Sequence, residues 1–188
     1  MRTIHYEDNW LYRDIIYPVN TDKEKRWGIY PDILKQFVDR FDYMESHYNK
    51  LFILRVDLRL KSQLKKSRKN LFTPFMTKLK HILKKEYGFN KIHYQYVTEY
   101  NAKLEKHYHL ILILDGNKIQ SSFNIQHLIK DIWAKYGKHH MPENCYYNYR
   151  RGDETIRKEI VYRASYLAKI RDKNRRNVQD KRYGVSRI

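Results

Sequence analysis

The sequence predicts an α+β protein whose elements run β-α-β-β-α-β-α, the order of a ferredoxin-like sandwich with helices laid on a central antiparallel sheet. Three observations carry that expectation. Residues 51–60 alternate apolar and polar side chains, helical stripes follow at 75–83 and 125–136, and two strand-like runs joined by a polar turn lie between those stripes. With 188 residues and 23.3 kDa the chain suits one domain with a small appendage and is long enough to bury a real core.

Taken in order, the elements begin with a leader unlike the rest. Residues 1–48 carry a net charge of −2 and residues 49–188 one of +20, so the whole excess of the +18 chain lies downstream. That break near His47–Lys50 predicts an aromatic, partly helical N-terminal extension over 1–48 and a basic domain over 49–188. Inside the extension Ile33, Leu34, Phe37, Val38, Phe41 and Met44 recur at helical spacing after Pro31, which predicts one amphipathic helix packed onto the main domain.

In LFILRVDLRL, Leu54, Val56, Leu58 and Leu60 alternate with Arg55, Asp57 and Arg59 in the period of two of a half-exposed strand. Thr73-Pro74 offers a cap and a first-turn proline to a helix carrying Phe75, Met76, Leu79, Ile82 and Leu83, which stops before Gly88. KIHYQYVTEY and HYHLILIL read as two strands of a hairpin whose loop is NAKLEK. Ser122 is placed to cap a helix bearing Ile125, Leu128, Ile129, Ile132, Trp133 and Tyr136 up to Gly137, and CYYNYRR then reads as a short aromatic strand. A last helix runs from about Glu154 into the basic tail. This order puts helices on one sheet face and leaves the other partly free.

On the HYHLILIL strand His107, His109, Ile111 and Ile113 share one face, and Tyr108, Leu110, Leu112 and Leu114 the other. Two neutral imidazoles side by side can ligate one metal, and Glu99, across the hairpin on the matching register, can add a carboxylate. Nine histidines also make an accidental His-x-His pair common, so the spacing alone leaves metal site and incidental pair both open. On the final helix Ile156, Ile160, Ala164 and Leu167 form an apolar stripe, with Tyr162, Tyr166 and Lys169 together on one flank. A phenol with an ordinary pKa near ~10 needs a polarised phosphate and a nearby cation to act as a nucleophile, and Lys169 can be that cation. Most of the 18 tyrosines must nevertheless be ordinary core or surface aromatics.

Together KHYHLILIL, the upstream TEY and the later YLAK helix resemble the HUH endonucleases, named for His-hydrophobic-His. More narrowly, FTPFMTKLKHILKK, FNIQHLIKDIWAKYG, RASYLAK and the closing RYGVSR are similar to inovirus-type replication endonucleases related to filamentous-phage gene II protein, including the YagK/YfjJ prophage family. The similarity spans roughly residues 50–187. It implies a ferredoxin-like HUH fold and Mg²⁺ or Mn²⁺ held by His107, His109 and Glu99. It further implies Tyr166 as nucleophile with Lys169 as electrostatic helper. Relatives from isometric single-stranded DNA phages use two tyrosines four apart, so Tyr162 stands either as a second nucleophile or as a packing residue.

The charge points the same way, since a surplus of this size favours a polyanionic partner. Residues 61–85 hold nine Lys/Arg and no acid, and residues 157–188 hold eleven against three. Lys65, Lys66, Arg68 and Lys69 in the first tract, together with Arg55, Arg59, Arg150, Arg151 and Arg163, are the expected DNA contacts. YYNYRR can stack unpaired bases or simply fill a strand. His139-His140 and Cys145 lack the paired-cysteine spacing of a zinc site and read as a loop.

The expected function is therefore a metal-dependent nickase and strand-transferase that starts rolling-circle replication through a 5′-phosphotyrosyl intermediate. Its partners would be single-stranded DNA or a DNA hairpin at a replication origin, with a host helicase and polymerase. GxxxxGK[ST] does not occur in the chain, so strand separation falls to another protein. Two alternatives remain at this level: a non-catalytic single-stranded nucleic-acid binder, or a single-tyrosine transposase or relaxase with the same chemistry. No apolar run approaches the ~20 residues of a membrane span. A lone cysteine, and acidic and aromatic residues where a signal peptide is apolar, lead to the expectation of a cytoplasmic protein in a bacterial host. Oligomeric state is not legible at this level.

Overall fold

The computed structural model describes residues 3–22, 24, 27–64, 70–101, 106–170 and 183–188. Its elements are β1 (Asn9–Tyr12), β2 (Ile15–Pro18), α1 (Pro31–His47), β3 (Lys50–Leu60), α2 (Phe72–Tyr87), β4 (His93–Tyr100), β5 (Lys106–Asp115), α3 (Phe123–Trp133), β6 (Gly137–His140), β7 (Tyr146–Arg150), α4 (Glu154–Ala168) and β8 (Tyr183–Val185). The main sheet is open and antiparallel in the order β6-β3-β5-β4-β8, with β7 paired to the other half of β3. Counting β6 and β7 together as the fourth strand, β3, β4, β5 and that pair take the order 4-1-3-2, so the protein is the α+β sandwich its element order predicts.

Period-two alternation sends even and odd residues of β3 and β5 to opposite faces. Leu54, Val56, Leu58, Leu110, Leu112 and Leu114 pack under Phe75, Leu79 and Leu83 of α2 and Ile125, Ile129 and Trp133 of α3. On the opposite face Leu51, Ile53, Val97, Ile111 and Ile113 pack against Ile33, Phe37, Val38 and Phe41 of α1 and Ile160, Ala164 and Leu167 of α4. That second face is covered, whereas the sequence led us to expect it partly free. The reason is that the stripe of α1 is itself apolar and finds its partner there, joined by Trp10 and Tyr17 of the β1–β2 hairpin.

Local signals place most ends correctly, with instructive departures. The cap of α2 is Asn70, whose Oδ1 accepts from Thr73 N at 3.1 Å, and Gly88 at φ 62° closes the helix in the left-handed region. Ser122 offers no side-chain cap to α3; its backbone carbonyl starts the helix by accepting from Gln126 N. His139 and His140 belong to strand β6 and not to a loop, paired with Leu58 and Asp57. Gly137 is required at its start, because a Cβ there would lie 1.8 Å from the Arg59 carbonyl oxygen. The basic segments 65–69 and 171–182 lie outside the described residues.

Candidate active site

The covered face changes character along its length. Where β3, β5 and β4 run out from under α1, the apolar odd-numbered residues give way to Arg55, Asp57, His109, His107 and Glu99. Register fixes their neighbours: Glu99 stands opposite His107 on β4–β5, and Asp57 opposite His109 on β3–β5. Glu99 Oε2 lies 3.0 Å from His109 Nε2 and 3.6 Å from His107 Nε2. One ligand atom from each of Glu99, His107 and His109 falls within 4.8 Å of the others, the one such cluster among the described residues. Two ligands held at right angles about 2.1 Å from one ion are themselves about 3.0 Å apart, so the donor set fits a divalent cation. Two imidazoles and one carboxylate from adjacent strands leave the remaining coordination positions open to the cleft.

His109 sits between two acids. Its Nδ1 donates to Asp57 Oδ1 at 2.6 Å and its Nε2 to Glu99. Burial pushes the imidazole pKa down, but its hydrogen bonds to the Asp57 and Glu99 carboxylates, and their negative charge, outweigh burial and raise the value above 6.5. Burial likewise pushes the Asp57 carboxyl up, and is overcome by His109 and Arg55, which lower it. With a cation bound at Nε2, the Asp57 hydrogen bond on Nδ1 fixes the ring and its tautomer, as carboxylates behind metal-bound imidazoles do.

Tyr166 closes the site from α4. Its ring stands edge-on to His109 at 5.4 Å between centroids and lines the same cleft of about 880 Å³ as Glu99, His107 and Asp57. The Lys169 ammonium, the cation expected here, lies 5.0 Å from the Tyr166 ring centroid, and the Arg55 guanidinium, expected as a DNA contact, lies nearer still at 4.2 Å. Burial raises the phenol pKa, Glu99 and Asp57 add to the rise, and Arg55 opposes it. A dication neutralising Glu99 would shift that balance toward the phenolate.

The leader secures this helix end. Tyr30 N donates to Ala168 O at 2.8 Å, Ile170 N to Gly28 O at 3.0 Å, and Ile29 bridges Lys169. Farther up the helix, Asn20 N donates to Ser165 Oγ at 2.9 Å. Residues 20 and 28–30 thus hold the turn that carries Tyr166.

The other expected residues divide clearly. Arg59 is exposed on the rim of the Tyr166 cleft with Lys61 and Lys138, an electropositive edge suited to phosphates. Arg55, expected to contact DNA, is only 6% exposed and is engaged by Asp57 at 3.4 Å and by the Tyr166 ring, so it positions the tyrosine. Tyr162 does not line the metal cleft; it is 45% exposed in a second cleft with Arg163. Arg150 and Arg151 lie at the far end of β3, about 23 Å from Asp57 at roughly 3.3 Å per residue. Arg151 there donates to the carbonyls of Glu45 and Tyr48. Lys65, Lys66, Arg68 and Lys69 fall outside the described residues.

Sequence reasoning missed Asp57 and the leader contacts. Asp57 was visible only as one polar position in an alternating strand. The signal that could have found it is its position directly opposite His109 across β3–β5.

A family model, the YagK/YfjJ C-terminal domain, matches residues 16–186 and so spans both the leader and the site. No curated protein and no solved structure matches the chain.

Proposed function

The chain belongs to the YagK/YfjJ C-terminal domain family, and on that premise we propose that it is a metal-dependent, site-specific single-strand DNA nickase and strand-transferase. Its biological task would be to start rolling-circle replication of a phage, prophage or satellite element, in the manner of HUH endonucleases of the inovirus type. The observation that carries this reading is Tyr166 standing against His109 in the cleft that also holds Glu99 and His107. A plain binding surface has no use for a buried two-histidine, one-carboxylate cluster facing a phenol flanked by two cations.

His107, His109 and Glu99 would hold Mg²⁺ or Mn²⁺, with Asp57 orienting His109. The bound ion supplies Lewis-acid polarisation of a non-bridging phosphate oxygen. Arg55 and Lys169 stabilise negative charge as it develops on the Tyr166 oxygen. That oxygen attacks phosphorus in line; the new O–P bond forms as the bond to the 3′-oxygen breaks. The phenol proton passes to solvent and the departing 3′-oxygen takes one up. The products are a 5′-phosphotyrosyl enzyme and a free 3′-OH that a host polymerase can extend, after a host helicase opens the duplex. Bond energy is conserved in the phosphotyrosine, so no nucleotide cofactor is consumed. The setting is the bacterial cytoplasm, and no described helix is long and apolar enough to cross a membrane.

Single-stranded oligonucleotides tiling the DNA of the element that carries the gene, incubated with the protein and Mn²⁺, test the reading. A covalent protein–DNA band on a denaturing gel is expected, abolished by EDTA and by Tyr166→Phe. No adduct on any tile with the parent protein, alongside ordinary single-strand binding, would make the non-catalytic binder the better account.

A further inference from the structure

Beside the metal cleft lies a second one of about 560 Å³, lined by Pro18, Asn20, Tyr147, Lys158, Tyr162 and Arg163 among others. The two meet at Tyr166, which lines both, and Arg55, against the Tyr166 ring, lines the second. Apart from Arg55 and Tyr166, the residues of this cleft have no part in the mechanism above. Its volume is in the range of small-ligand sites. Its contents are those of a nucleotide site, three tyrosines, Tyr147, Tyr162 and Tyr166, and three cations, Arg55, Lys158 and Arg163, against a single acid, Glu159. Among the described residues Tyr162 makes no side-chain hydrogen bond or ring contact, and it is 45% exposed, which suits a stacking platform and not a packing residue. Arg163 is held in place: its Nε donates to Tyr147 Oη at 3.4 Å and its Nη2 to Glu143 O at 3.2 Å.

We propose that this cleft is a nucleotide subsite, in which Tyr162 and Tyr147 stack a base of single-stranded DNA while Arg163 and Lys158 take its flanking phosphate, next to the phosphate cleaved at Tyr166. The proposal rests on the nickase reading for its substrate class. It resolves the ambiguity of Tyr162, which serves as a base platform and not as a second nucleophile, because it lies outside the cleft that holds Glu99, His107 and His109. Subsite occupancy draws the strand past Tyr166, the residue common to both clefts, and thereby sets which phosphate meets the metal.

The test is binding of a fluorescent twelve-residue oligothymidine and of an abasic strand of equal length and charge, in EDTA so that no cleavage intervenes. Base stacking on an aromatic is lost about 5- to 150-fold on alanine substitution. The parent should therefore bind the base-bearing strand at least about fivefold tighter than the abasic one. Tyr162→Ala with Tyr147→Ala should erase that preference without changing the salt slope, Tyr162→Phe should keep it, and Arg163→Ala should flatten the slope. Photo-cross-linking with 5-iodouracil should map to Tyr162 or Tyr147. Equal parent affinity for the two strands, or retention of the preference in the double variant, overturns the subsite while leaving covalent nicking as the separate measure of the nickase reading. Mapping of a phosphotyrosyl adduct to Tyr162 in the Tyr166→Phe protein would also overturn it.

Discussion

Replacing Asp57 with Asn tests the metal centre through a residue that touches no ion. The carboxylate accepts from His109 Nδ1 at 2.6 Å, a charge-assisted bond, and the amide keeps an acceptor of the same shape without the charge. Hydrogen bonds to charged groups contribute about 1.5–3 kcal/mol and neutral ones about 1 kcal/mol, so the exchange should cost about 1–2 kcal/mol of imidazole basicity toward the ion. That is about a 5- to 30-fold weaker Mn²⁺ affinity, at the low end of what loss of such outer partners brings. A second effect has the opposite sign. His109 must give up a proton to bind an ion, and Asp57 is one of the groups that raises its pKa. The variant holds that proton less firmly, so its deficit should be larger at pH 8.5 than at pH 6. Titration calorimetry of Mn²⁺ at both pH values, with circular dichroism to verify folding, reads both effects. Equal affinities at pH 8.5, or a deficit that grows toward pH 6, would refute the assignment of Asp57 as the orienting group.

For the unsubstituted protein, calorimetry at pH 7 in buffers of differing ionisation enthalpy should show net proton release on Mn²⁺ binding, falling toward zero at higher pH, because the His109 pKa is raised. Mn²⁺ should bind more tightly than Mg²⁺, as imidazole donors favour it. Arg157 is 5% exposed and bonds Tyr17, Glu45 and Asp42, so Arg157→Met should lose up to about 3 kcal/mol by leaving Glu45 without its cation and Asp42 with Arg13 alone, read as a fall in Tm. Burial, with Arg40 and Lys91, lowers the pKa of His93 to about 4, so it is neutral in the fold while an unfolded histidine protonates near 6.5. Its contribution is thus present above pH 6.5 and lost as pH falls toward 4, by at most about 3 kcal/mol. Urea midpoints of parent and His93→Gln should converge over that range, and a constant gap would count against a neutral buried His93.

Much of the site could be read locally because its parts sit on regular elements. Period two placed His107 and His109 on one face and put Glu99 on the matching register, and the helical repeat put Tyr166 and Lys169 together. What escaped depends on contacts remote in sequence. Asp57 becomes an orienting group only when β3 lies beside β5, and nothing in LFILRVDLRL separates it from a solvent-facing acid. The hairpin β1–β2 and the strands β6 and β8 have three or four residues each, too few to show a period. Arg55 was misjudged for a related reason: its charge suggested a surface contact, while Asp57 two residues on and Tyr166 of α4 make its burial tolerable.

The pairing of Ile29 with Lys169 has a consequence for the order in which the protein becomes competent during synthesis. The Gly28–Tyr30 segment leaves the ribosome early and its partner turn late, so Glu99, His107 and His109 on β4 and β5 emerge before the helix that carries Tyr166. Until residue 170 is free to close on Gly28, Tyr166 has no fixed place beside them. On the proposed reading, reactivity toward DNA arrives only once that late closure is made, and loosening it at Gly28–Tyr30 would disarm the protein without touching a single group of the cluster.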